Sequence, residues 1–449
     1  MKICSVSERN LIAEQKLELS GLKVLYGIFA FFFISSIVMP QYFGVHIGYD
    51  ITCSRFANLL FIGYIIANPP IMTHFVSTAI RCEIFYPFVL YLMVAGYTMV
   101  FRGDLNAFFL VFFEGFSLFM MIYGIRFVIG YRRAIRWVIG CAYFLGIYGL
   151  VEFVYGKSIF LQFLATVPTT VGNAYRSGQY RIMGPCGHSL GYGLVLLLFI
   201  AISSIDMEKK EIYIFKRPFL MFVLLANVFL TGSRSTLGIA IFELVIIFIC
   251  SNRICKKKAL LWLGGAVVGL AVFLLLFYST KIGQYLLGQI SSVIDQIFGT
   301  EFAAKFGVEV ERLEDSEEYR KVLPLIFKLD WLNPLIGRGS KSFGAEINGI
   351  FIHSIDNYYV SQYIKYAYPG LITYVFFLVT TAGAFFQYLF RKKARNTAIA
   401  KLILIGIVLY FFNLWWVDAL QTLKYVYIVI AIFYAMRFEE TDREVRYKA

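Results

Sequence analysis

Holding an anion at a membrane calls for arginine forks at chain turns, and this sequence places several there. The clearest is Thr231-Gly232-Ser233-Arg234-Ser235-Thr236, which divides two apolar runs that together would be about 50 Å of helix, too long for one crossing. Gly232 lets the chain turn, and Ser233 or Ser235 can cap the next helix. Arg234 then sits at a helix N-terminus, where free N–H groups and the dipole already favour negative charge. A second constellation is Arg181-Ile182-Met183-Gly184-Pro185-Cys186-Gly187-His188-Ser189, an arginine followed by a Gly/Pro-rich turn into a helix. A third joins Arg320 to Trp331-Leu332-Asn333-Pro334-Leu335-Ile336-Gly337-Arg338-Gly339. The fourth is His353-Ser354-Ile355-Asp356-Asn357-Tyr358-Tyr359. On a helix His353 and Asn357 would share a face, with Asp356 beside them, and a histidine with a carboxylate three residues on is a candidate general base.

Each motif has a plainer reading. Arg234 can snorkel from a tight turn, Arg181 can belong to an ordinary loop-to-helix transition, and Arg320 can form a surface ion pair with Glu317 or Glu318. A lone histidine is usually structural. Glu114, Glu152 and Glu243 fall inside apolar runs, where bonding a neighbouring helix and a functional role are equally open. The seven cysteines are scattered, with no CxxC pair and no metal spacing, so neither metal nor cofactor is expected. What argues for a site is convergence of these cationic and proton-transferring groups on one side of a membrane.

The elements that position them follow from composition. Of 449 residues, 59% are apolar and only 16% charged, which excludes a soluble enzyme or a disordered scaffold. Uncharged blocks such as 259–280 and 366–390 are long enough to cross the hydrocarbon, and barrel strands would alternate instead. The expectation is an all-α polytopic membrane protein with about twelve spans. Residues 1–21 form a cytoplasmic segment that does not read as a cleavable signal, and 22–280 hold spans one to nine with an external loop at about 156–188. Residues 281–366 form a large extracytoplasmic loop, 367–436 hold the last three spans, and 437–449 form a cytoplasmic tail. Within the large loop, Asp315-Ser316-Glu317-Glu318 reads as a helix start, with Tyr319, Val322, Leu323, Ile326 and Phe327 at helical spacing despite Pro324. Basic clusters at Arg126–Arg136, Lys209–Arg217, Arg253–Lys258 and Arg391–Arg395 all fall on one side when both termini are cytoplasmic. The net charge of +14 therefore reports topology rather than nucleic-acid binding. Two places strain the scheme: Asn68-Pro69-Pro70 should break or kink the second span, and Lys424 would have to snorkel outward from the last.

From about 180 to 436, the order of motifs resembles the O-antigen ligase and O-antigen/capsule polymerase superfamily. The matching residues are Thr-Gly-Ser-Arg-Ser at a helix start, an external loop with Arg320, Trp-x-x-Pro-Leu-x-Gly-x-Gly, then His353 ahead of Asp-Asn-x-Tyr and Tyr368-Pro369-Gly370. The first half matches only in hydrophobic character. The resemblance implies a bacterial inner-membrane glycosyltransferase of surface-polysaccharide biosynthesis, inverting and metal-independent. Its donor would be an undecaprenyl-diphosphate-linked oligosaccharide, and its acceptor another glycan, or lipid A core in a lipopolysaccharide ligase. Partners would be these two glycans and membrane lipid, with a chain-length regulator admitted for a polymerase and no nucleic acid. By position, Arg234 and Arg320 would hold the diphosphate, and His353 or Asp356 would take the acceptor proton. Arg181 and Arg338 would be further diphosphate or sugar contacts, with Asn357, Tyr358 and His188 among the substrate-binding residues. Where the family often has Asn directly after His, this chain interposes Ser354, Ile355 and Asp356, so both candidate bases stand. A flippase for lipid-linked oligosaccharide is the rival from another class.

Overall fold

The computed structural model describes residues 22–47, 50–163, 167, 174–176, 179–298, 300, 302–306, 320–341, 343–352, 355–392 and 394–446. Helix α1 (Leu22–Val38) leads through the hairpin β1 (Gly44–His46) and β2 (Asp50–Thr52) into α2 (Cys53–Ile66). Thr52 caps α2, and Asn68-Pro69-Pro70 then bends the chain by 112° into α3 (Pro69–Ile80), the break that the prolines predict. Next come α4 (Phe85–Arg102), α5 (Leu105–Gly124) with its π-helical continuation Ile125–Ile129, α6 (Tyr131–Tyr155) and the short α7 (Ile159–Phe163). The hairpin β3 (Tyr175–Arg176) and β4 (Gln179–Tyr180) precedes α8 (Ser189–Ser203). A third small hairpin, β5 (Ile205–Asp206) and β6 (Glu211–Ile212), leads to α9 (Pro218–Leu230), α10 (Arg234–Cys250), α11 (Arg253–Phe277) and α12 (Lys281–Phe298). After β7 (Ala345–Ile347) and β8 (Ile350–Ile352), the chain closes with α13 (Tyr358–Leu389), α14 (Thr397–Asn413) and α15 (Leu423–Arg446).

Among the described residues, five helices are long and apolar enough to cross a membrane: α4, α5 with its continuation, α6, α11 and α13. The bent pair α2–α3 makes a sixth, while α1, α8, α9 and α14 are shorter apolar helices. Burial sorts them. α8 and the 425–436 stretch of α15 are apolar all round and lie at the centre, and every residue from Tyr425 to Met436 is 4% exposed or less. α11 is the opposite case, with only Cys255 and Ala259 buried along 25 residues. Leu261, Val267, Val268, Leu275 and Leu276 stand open on it, which water would not tolerate and hydrocarbon does. The molecule is an all-α membrane protein.

The two ends of the bundle are tied differently. At one end ion pairs and buried acids join the helices: Arg126 with Asp442 at 2.7 Å, Arg437 with Glu83 at 2.6 Å, and Tyr388 donating to Glu440 at 2.8 Å. At the other end, loops interlock through backbone bonds, with Gln41 N–H donating to Pro185, Ile182 to Leu230 and Tyr358 to Leu414. There Glu152, fully buried, accepts from the Tyr180 hydroxyl and from the amides of Met183 and Gly184 at 2.7–2.9 Å. Glu152 is therefore a staple for the 180–188 turn. A separate small core of Val322, Leu323, Ile326, Leu332, Ile347 and Ile352 sits on the first turns of α13.

Three expectations stand differently in the structure. The helix expected after Asp315 is α-helical in its first described residues, Arg320–Val322, and tightens into a 3-10 run Leu323–Lys328 at Pro324, which lacks the amide an α-helix requires; residues 307–319 lie outside the described set. His353 also lies outside it, and of its expected helical partners Asn357 is the extended cap of α13 rather than an interior helical residue. Lys424 does not snorkel away from the protein: it turns into a cavity between α1, α2, α5 and α15.

Candidate functional site

The interlocked end holds the arginines singled out in the sequence. Thr231-Gly232-Ser233 turns with Gly232 at φ +61°, a conformation a side chain resists, and Ser233 rather than Ser235 caps α10 by accepting from the Thr236 amide at 3.4 Å. That leaves Arg234 in the first helical position. The strip 181–182 is laced onto the end of α9, and Arg181 Nε donates to the Thr231 carbonyl at 2.7 Å. Two arginines separated by 52 intervening residues thus flank one three-residue turn. Asp295 of α12 joins them from outside. Slight desolvation would raise its carboxyl, but bonds from Thr300 and the amides of Ala303 and Phe302, with the Arg234 guanidinium nearby, hold it below the usual range.

His188 and Asp356 complete this neighbourhood. His188 caps α8, its Nδ1 accepting from the Leu190 amide at 3.1 Å, so the neutral ring carries its proton on Nε2. Burial and then the Arg181 charge lower its pKa to about 4, against the opposing pull of Asp356. An imidazole held neutral beside a guanidinium can donate through Nε2 to a phosphoryl or hydroxyl oxygen without adding charge. Asp356, in the coil ahead of α13, is a carboxylate whose charge acts on His188.

Arg338 belongs to a second grouping. Ala367 at φ +54° and Pro369 break the hydrogen-bond ladder of α13, and the carbonyls freed at Ile364 and Lys365 accept the Arg338 and Gly339 amides at 2.8 and 3.0 Å. Arg102 grips the same loop through the Gly337 and Ile336 carbonyls, and Asp104 takes the Ser340 amide at 2.6 Å. Both glycines are required. A Cβ on Gly337 would lie 2.0 Å from the Lys365 oxygen, and one on Gly339 2.4 Å from Asp104 Oδ2. Arg338 lays its guanidinium over Trp331, 5.2 Å from the ring centre. Its Nε and that of Arg320 are buried with no hydrogen-bond partner among the described residues. Asn357 and Tyr358, read as substrate contacts, are committed to structure. Asn357 Oδ1 accepts from the Tyr359 and Val360 amides while Nδ2 donates to the Trp415 carbonyl, and Tyr358 is 2% exposed among aromatic rings.

Sequence reasoning missed Arg102 and Asp104, polar residues at helix ends whose partners lie far along the chain, and Asp295, whose own bonds are local but whose charge meets Arg234. It also missed the cavity that Lys424 enters, lined by Arg55, Glu114, Asn58, Ser117 and Gln41. Compared with known proteins, the chain matches no family model and no curated protein.

Proposed function

We propose that this protein is a twelve-span glycosyltransferase of the bacterial inner membrane, with both termini cytoplasmic. On this reading it polymerises a surface polysaccharide from an undecaprenyl-diphosphate-linked repeat. The observation that carries the reading is the convergence of Arg181 and Arg234 on the Thr231–Ser233 turn, with neutral His188 and ionisable Asp356 beside them. Diphosphate is already a good leaving group, so the protein's task is charge stabilisation and alignment. The acceptor hydroxyl attacks the donor's anomeric carbon from the face opposite the diphosphate, the carbon–oxygen bond to phosphate breaks, and the anomeric configuration inverts. The hydroxyl proton passes to Asp356 or to His353, and the negative charge accumulating on the diphosphate is met by Arg234, Arg181 and, from the neighbouring loop, Arg320. Arg338 and His188 serve as sugar or phosphate contacts.

The test uses purified protein in liposomes with a short undecaprenyl-diphosphate oligosaccharide and no other acceptor. A ladder of repeats with released lipid diphosphate supports polymerisation. Transfer only on addition of lipid A core would make the protein a ligase. Lipid moving between leaflets without any product would favour a transporter, a reading that draws on the charged cavity at Arg55, Glu114 and Lys424.

A further inference from the structure

A cavity of about 620 Å³, counting its open mouth, lies among α1, α2, α5 and α15 and shares no lining residue with either arginine grouping. Lys424 and Glu114 both line it, and among the described residues neither makes an ion pair or a hydrogen bond. Lys424 has the Tyr425 ring, 5.1 Å from its ammonium. Arg55, on the same wall, is already held, donating to the Asp50 carbonyl at 2.7 Å. A lysine and a glutamate left unjoined at one cavity in an apolar bundle are costly unless something bridges them. Asn58, also on the wall, gives an independent sign. It is 1% exposed, and its Nδ2 is spent on Ser117 and the Phe113 carbonyl. Its Oδ1 is buried with no hydrogen-bond partner among the described residues, an acceptor that calls for a donor. The same helix, α2, exposes Phe56, Leu59 and Leu60, so this wall of the cavity has hydrocarbon on its other side.

We propose that this cavity holds the head group of a membrane phospholipid bearing a primary ammonium, phosphatidylethanolamine. The phosphodiester monoanion meets Lys424, and the ammonium donates to Glu114 and to the orphaned Oδ1 of Asn58. The two unjoined side-chain charges sum to zero, as do the two charges of this lipid. A glycerol head group would bring the anion but no cation for Glu114. A choline head group would bring a cation with no N–H for Asn58. Phe32, Phe113 and Ile428 on the remaining wall suit the glycerol stem and the first methylenes, which a free zwitterion lacks. The site stands whether or not the transfer reading does, because its readout is lipid binding rather than product.

The experiment titrates the full chain in detergent micelles, by calorimetry, with the short-chain dihexanoyl forms of phosphatidylethanolamine, phosphatidylcholine and phosphatidylglycerol, and with soluble phosphoethanolamine. The ethanolamine lipid should saturate the site and bind about tenfold or more tighter than each of the other three. Glu114→Gln should weaken the ethanolamine lipid by about tenfold while tightening the glycerol lipid severalfold, whereas Lys424→Met should weaken both. Opposite responses to two lipids within one variant cannot arise from misfolding. Choline and ethanolamine lipids binding equally, the glycerol lipid binding tighter, or Glu114→Gln leaving the ethanolamine lipid unchanged would each overturn the proposal. So would soluble phosphoethanolamine binding as tightly as the lipid, or no saturable binding of the ethanolamine lipid.

Discussion

Arg234 and His188 illustrate two uses of a helix N-terminus. Arg234 adds a guanidinium to amides already polarised toward negative charge. If it stabilises the departing diphosphate, Arg234→Ala should lower the transfer rate by about 10²–10³ with membrane insertion unchanged, on the scale of losing an oxyanion donor. Turnover within a few-fold of the parent protein would remove it from the site. His188 instead closes its helix with a ring nitrogen, and burial beside Arg181 keeps it neutral down to about pH 4. The unfolded chain would bind that proton near pH 6.5, so this group's contribution to stability is whole above that pH and declines from there to about pH 4. His188→Asn retains a capping side chain without the titration. Its Tm should therefore fall less than that of the parent between pH 7 and 4.5, and parallel curves would show that the ring is not held neutral. Ser233, Gly232 and the arginines were all legible in the sequence because capping and turning are local. Asp104 was not, since its partner Ser340 lies 236 residues away and no periodicity links them.

At the scale of elements, the bend between α2 and α3 and the kink in α13 were both foreshadowed by proline, yet only one consequence could be read in advance. A proline announces that carbonyls will be freed; it does not say which segment will take them. Here the takers are Arg338 and Gly339. Gly339→Ala tests the junction, because it places a methyl against Asp104 at a backbone angle of +75°. The loop's clasp should open at a cost of about 1–3 kcal/mol, seen as a lower Tm and as protease cleavage near residue 340. An unchanged Tm would mean that the clasp contributes little to holding the loop. The helix expected after Asp315 is present at Arg320–Val322 and tightens to a 3-10 run beyond it for the same local reason, Pro324.

For the molecule as a whole, apolar run lengths alone revealed a membrane protein, and charge asymmetry suggested its orientation. Which helices occupy the centre was not legible, because α8 and α11 are both apolar and only packing distinguishes them. α11 exposes apolar side chains along most of its length, so a nitroxide at Val268→Cys should collide readily with dissolved oxygen and rarely with a polar nickel chelate. The reverse preference would mean that α11 lies against protein or water instead.

The clasp between α13 and the 331–340 loop also binds two motions into one. The carbonyls of Ile364 and Lys365 hold the amides of Arg338 and Gly339, while the Pro334 carbonyl holds that of Tyr368. Straightening the helix would break all three bonds together. Deuterium should then enter these three amides at one shared rate, as a single cooperative opening, rather than at three separate rates. Whatever the loop arginine touches would accordingly feel the breathing of a helix that runs 32 residues across the fold.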